Sequence, residues 1–134
     1  MSARYVRNTI RGWAASTFTV PFYDTINMAE RPTDPIWATV EFDTSADTKL
    51  TFCDDLESSG LADFVFSGAP GMGDDAVLAA AEASIAELLK MTDPTGALVL
   101  LYAHQPAEFS NGLADYTYRV FVAVEYRHYY RQAA

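Results

Sequence analysis

The chain has one cysteine, Cys53, and two histidines, His104 and His128, in 134 residues. A single cysteine excludes an internal disulfide and a cysteine-based metal cage, and Cys53 is read as a small buried hydrophobe. The histidines lie far apart in sequence and outside any HExxH-type spacing, so neither zinc ligation nor serine-histidine chemistry is supported. Both are read as ordinary polar residues at strand ends. No run approaches the ~20 apolar residues of a membrane-spanning helix. The N-terminus carries arginines without the apolar stretch and small-residue cleavage site of a secretory signal. These absences lead to the expectation of a protein made and kept in a cytoplasm, with no membrane and no cofactor.

Basic residues are also scarce: 9 Lys and Arg stand against 18 Asp and Glu, for a formal charge of -9. The imbalance is local. From Asp24 to Asp115, 17 acids face only Arg31, Lys49 and Lys90, a net of -14. The two ends hold six arginines against Glu125, a net of +5. Such a middle repels a phosphate backbone, which disfavours nucleic-acid binding as the main activity. The bland explanation of the acidity is solubility.

What is present is enough apolar material for a real core: 50% hydrophobic and 13% aromatic residues, read as one domain over 1–134. Ser2 can cap a helix to about Ala15, with Val6, Ile10, Trp13, Ala14 and Thr17 at helical spacing and Arg4, Arg7 and Arg11 on the opposite face. The arginines are a solvated face, or they dock an acidic surface of a partner or neighbouring copy; a membrane-surface helix fits the acidic remainder poorly. Pro21, Pro32 and Pro35 then break the chain into an irregular connection.

Two strands are expected next, "IWATVEF" with Ile36, Ala38, Val40 and Phe42 on one face, and "KLTFCD" with Leu50 and Phe52. The turn formers of "DTSADT" between them suggest a hairpin with a polar tip at Asp43 and Asp47, beside Lys49. "ADFVFS" is a short third strand. A helix from about Asp74 to Met91 places Leu78, Ala81, Ile85, Leu88 and Leu89 on its core stripe. Ala76, Ala80 and Ala83 lie on its far side with Glu87, a surface another protein could approach closely, although alanine is also simply the best helix former. "ALVLLYA" reads as a fully buried strand. "DYTYRVFVAVEYRHYYR" reads as a long one, with Tyr116, Tyr118, Val120, Val122, Val124 and Tyr126 facing one way. "FSNGLA" between them holds an Asn-Gly turn pair. The order α-β-β-β-α-β-β describes an α+β domain: a mostly antiparallel sheet of four to five strands with two main helices packed on it.

Three motifs invite a chemical reading. The glycine-rich "GAPGMG" resembles a phosphate loop, but such a loop needs a lysine and a hydroxyl where this chain has Asp74 and Asp75. Two carboxylates already satisfy the helix dipole and repel a phosphate, so the 68–73 stretch, with Met72 among its residues, is a strand-to-helix joint. Asp54, Asp55 and Glu57 in "CDDLESSG" form an acidic group, but a polar serine-rich loop offers little of the desolvation that acid/base catalysis needs. The C-terminal "EYRHYYRQ" mixes Tyr126, Tyr129 and Tyr130 with arginines, residue types of interface hot spots, and given the overall charge it is read as a protein interface rather than a nucleic-acid platform.

Taken in order, "VPFYDTINMAERPTDPIWATVEF", "GLADFVFSGAPGMGDDAVLAAAEASIAELL" and the paired C-terminal strands resemble the tail terminator proteins of long-tailed phages and phage-derived gene transfer agents. The resemblance covers most of the chain, and each motif alone is unspecific. It implies a non-enzymatic structural virion protein, assembled in the host cytoplasm. Such a protein forms a hexameric ring on the head-proximal end of the tail tube, ends tube polymerisation and presents a surface to the head connector. Its partners would be copies of itself, the tail tube protein and the connector. DNA would pass through the lumen without specific binding, consistent with an acidic wall that includes Asp43, Asp47, Asp74 and Asp75. The arginine-rich helix and tyrosine-rich end have no counterpart in that family pattern. Two other readings stand beside it: another neck or tail-completion component, and a small α+β enzyme or small-molecule-binding domain with one deep apolar cavity.

Overall fold

The computed structural model describes residues 3–23, 34–43, 46–49, 55–69, 74–104, 107–108 and 118–131. Helix α1 spans Ala3–Thr17, followed by strands β1 (Ile36–Phe42), β2 (Ala46–Lys49) and β3 (Asp55–Gly68). Helix α2 (Asp74–Leu88) then leads to β4 (Leu98–Ala103), β5 (Ala107–Glu108) and β6 (Tyr118–Arg131). The fold is α+β with an antiparallel sheet, as the sequence pattern implies. Its continuous strand order is β1-β3-β6-β4, with β2 added to β3 and β5 to β6.

The strand pairing differs from the expected hairpin. β1 pairs with β3, in a register that sets Ile36 opposite Gly68 and Phe42 opposite Ala62, and of the expected partner strand "KLTFCD" only Lys49 is described, opposite Leu56 of β3. Part of the supposed turn is strand: Ala46, Asp47 and Thr48 join Lys49, already expected in a strand, to form β2, which lies against residues 56–59 of β3. The short third strand is the second half of a 14-residue strand, so residues 55–60 are not a loop. A polar serine-rich run can enter a sheet because β3 pairs along its whole length with β6, which satisfies its backbone groups. Leu50, Phe52, Cys53, Asp54, Met72, Tyr116, the Asn111-Gly112 pair and the Ser2 cap lie outside the described residues.

Alternation along the strands builds one core face. Ala38 and Val40, Ala62, Phe64 and Phe66, Val120, Val122, Val124 and Tyr126, and Leu98 are buried together with Val6, Ile10 and Ala14 of α1 and Val77, Ala81, Ile85 and Leu88 of α2. Both helices therefore cover the same face of the sheet. Phe18 closes the α1 end of this core, its ring 5.2 Å from Phe64 and 5.4 Å from Phe66. The stripe on α2 is rotated from the one expected: Val77 and Ser84 are buried and Leu89 is exposed. Ser84 is accommodated because Thr19 meets its hydroxyl through both backbone N–H and side chain.

β4 is not fully buried. It is an edge strand, with only Leu98 buried and Val99, Leu101 and Tyr102 exposed at 39%, 39% and 51%. A register shift between Leu100 and Tyr102 turns Leu101 out of the ladder. An apolar run cannot by itself distinguish a central strand from an edge. The turn into β4 is tied by Asp93, whose carboxylate accepts from Thr95 N–H, Thr95 Oγ1, Leu98 N–H and Tyr5 Oη. These donors hold the Asp93 carboxyl below its ordinary pKa, the Thr95 backbone bond foremost. Gly96 completes the turn at φ 71, a left-handed conformation that glycine adopts without steric cost.

Candidate functional site

Three surfaces carry the chemistry of the described residues. On α1, Arg4 and Arg7 are exposed and Arg11 is half-buried. Arg7 and Arg11 do not lie opposite the core stripe but flank it, each following a buried residue, Val6 and Ile10, so the three are not simply a solvated row. The Arg7 and Arg11 guanidiniums sit over the Phe42 ring at 5.5 and 5.3 Å from its centroid. Phe42 ends β1, so the two cations are fixed at that edge of the sheet. Arg11 Nε is buried without a hydrogen-bond partner, and neither arginine belongs to an ion pair among the described residues.

The second surface is the exposed side of α2. Asp74, Asp75, Ala76, Glu82, Ala83 and Glu87 are exposed and Ala80 is half-buried. Asp74 and Asp75 occupy the first turn, where they complement the helix dipole. Beside this face a groove of about 390 Å³ runs between α2 and the β4 side of the sheet, lined by Glu82, Ala86, Leu89, His104 and Val122 among others. No sequence signal announces this groove, because α2 and β4 meet there only through tertiary packing.

The third surface is the sheet face away from the helices. Register sets Glu41 of β1 directly opposite Asp63 of β3. Asp43, just beyond β1, and His104, just beyond β4, also act on Asp63. Desolvation, then the hydrogen bond and charge of Asp43, then Glu41, push the Asp63 carboxyl from 3.8 up to about 6, against a smaller opposite effect of His104. Asp43 is legible in the sequence as a turn acid; Asp63, inside an apolar strand run, is not. No group of three His, Cys, Asp or Glu among the described residues has metal-holding geometry.

The tyrosine-rich end divides. Tyr129 is exposed at 40%, Tyr130 is half-buried, and Tyr126 is 4% exposed inside the core. Tyr126 is thus no interface residue, since even-numbered positions of β6 face the helices. His128 follows the same alternation and is buried within β6, not a polar strand end. Its ring stacks at 4.9 Å on Tyr5 and 5.4 Å on Tyr130. The side chains of Asp47 and Lys49 lie outside the described set, so of the expected polar tip only Asp43 can be placed.

No protein-family model matches the chain, and a search of curated proteins finds no match. No helix among the described residues is long and apolar enough to cross a membrane.

Proposed function

We propose that the chain is a structural subunit of a tail-terminator-like ring and not an enzyme. Copies associate side by side, and the closed ring, hexameric in the family the sequence resembles, caps the head-proximal end of a tail tube. It ends tube polymerisation and joins the tail to the head connector within the virion. DNA passes through its lumen without specific binding, and no cofactor takes part.

The sequence resemblance motivates this reading. The observation that carries it structurally is the separation of chemistry over distinct faces: cations on Phe42 at the β1 edge, an apolar groove with Glu82 at the β4 edge, and carboxylates around Asp63. A ring subunit needs different surfaces for two neighbours, for the tube and for the connector. The test is growth of purified tail tube protein with and without this chain, followed by electron microscopy of tube ends. Capped tubes that stop elongating are expected; tubes that grow unimpeded with bare ends would overturn the proposal. Capture of connector components without tube ends would instead indicate another neck role.

A small-molecule reading draws on one observation, the groove where Glu82 and His104 meet apolar residues. It requires saturable ligand binding that Glu82→Ala abolishes, in a chain that does not cap tubes.

A further inference from the structure

The Arg7–Arg11 pair is an anomaly in a chain of charge -9. Like charges at i,i+4 on a helix repel one another, and here both share one aromatic ring. No acid among the described residues relieves them by forming an ion pair with either arginine. The Phe42 ring orders both guanidiniums through cation–π contact, and burial of Arg11 Nε leaves the outer nitrogens of that guanidinium as its donors to a carboxylate. The result is a preorganised cationic ridge.

The complementary surface lies at the other end of the strand order. α2 stands beside α1 and over β6, and the groove between α2 and β4 has an apolar floor that includes Ile85 and Val122. Glu82 is exposed on its wall. Leu89, at 37% exposed, and Leu101, at 39%, extend the apolar area along the same edge. Glu82 is the one carboxylate that lines the groove among the described residues, and Glu87, one turn on, pairs with Lys90 at 2.9 Å, which leaves Glu82 as the acid open to a cation.

We infer that the Arg7–Arg11–Phe42 ridge of one copy seats against the α2–β4 groove of the next copy, with Glu82 as the partner of the arginines. This deepens the ring proposal and rests on it for the identity of the neighbour; charge complementarity between the two edges selects a second copy as occupant. The interface is heterologous, because ridge and groove lie on opposite edges, β1 and β4, of one sheet. It is made by side chains rather than by sheet extension. The outer edge of β1 is already taken at Ala38, whose N–H donates to Pro21 O at 2.9 Å and whose carbonyl accepts from Tyr23 N–H at 2.9 Å.

The test uses the full chain and two charge reversals at exposed positions, Arg7→Glu and Glu82→Arg, with circular dichroism to verify folding. Sedimentation velocity and native mass spectrometry then read assembly. Wild type is expected to form complexes larger than one chain that weaken with salt, and each single variant to associate about tenfold or more weakly. Mixing the two variants, or combining both changes in one chain, is expected to restore assembly, since every contact again joins opposite charges. Single variants that assemble like wild type, a mixture that stays monomeric, or a wild type that is monomeric at every concentration would each overturn the interface. Tube capping is scored separately: a chain that assembles through this contact but ignores tube ends refutes the terminator reading alone, and one that caps tubes unimpaired with either Arg7→Glu alone or Glu82→Arg alone refutes the interface alone.

Discussion

Asp63 of β3 lies directly opposite Glu41 of β1 in the antiparallel register. Like charges in facing positions destabilise a strand pair, and here Asp43 adds a third carboxylate. A carboxyl with its pKa raised from 3.8 to about 6 holds its proton more tightly folded than unfolded. The contribution of Asp63 to stability therefore falls as pH rises from 3.8 to about 6, and its penalty is complete above that window. Asp63→Asn is expected to raise the melting temperature at pH 7.5 and to flatten that slope. Thermal unfolding across a pH series decides it; an unchanged slope would show that Asp63 is not the group responsible.

His128 titrates with the opposite sign. Burial lowers its pKa below 6.5, a shift opposed in part by the charge of Asp93. The unfolded chain binds the proton more readily, so the stability that neutral His128 contributes is present above 6.5 and lost as pH falls through its folded value. Nδ1 of His128 is also buried without a partner. His128→Phe keeps a ring between Tyr5 and Tyr130, removes the orphaned atom and is expected to abolish this acid-side loss. The same pH series on the variant provides the check.

The Tyr5 hydroxyl donates to Asp93 Oδ2 at 2.9 Å across 88 positions of sequence. Tyr5→Phe removes that one bond and keeps the ring on His128, whereas Asp93→Ala also frees Thr95 and Leu98 N–H. The expected order of melting temperatures is wild type, then Tyr5→Phe, then Asp93→Ala. Hydrogen exchange at Thr95 and Leu98 should rise sharply only in the second variant.

Phe64 is fully buried and Leu101 is 39% exposed. Phe64→Ala is expected to cost about 3–5 kcal/mol in urea unfolding through lost transfer energy and the cavity left behind. Leu101→Ser is expected to stay within about 0.5 kcal/mol of wild type. A large cost for Leu101→Ser in a monomeric sample would place that side chain in the fold rather than on an exposed edge.

The helical spacing of Val6, Ile10 and Ala14 and the alternation of Val120, Val122 and Val124 mark the core faces of α1 and β6 in the sequence itself, because a helix and a strand bury the residues of one periodic face. The same alternation, read one step further, assigns Tyr126 and His128 to the core and leaves Tyr129 outside. Of the candidate surfaces, the arginine stripe, the acids of the first α2 turn and the alanine side of that helix are legible in the sequence, since each is a local pattern on one element.

Sequence alone thus determined the α+β class, both helices and the long final strand. These follow from residue spacing, since each element buries one periodic face. Tertiary structure alone decided that β3 pairs with β1 and β6, that the apolar "ALVLLYA" is an edge, that Asp63 sits among carboxylates, and that Arg7 and Arg11 share Phe42. Strand partners and cross-element contacts arise from the joint burial of distant segments, and a one-dimensional pattern carries the face a residue belongs to but not the neighbour it meets.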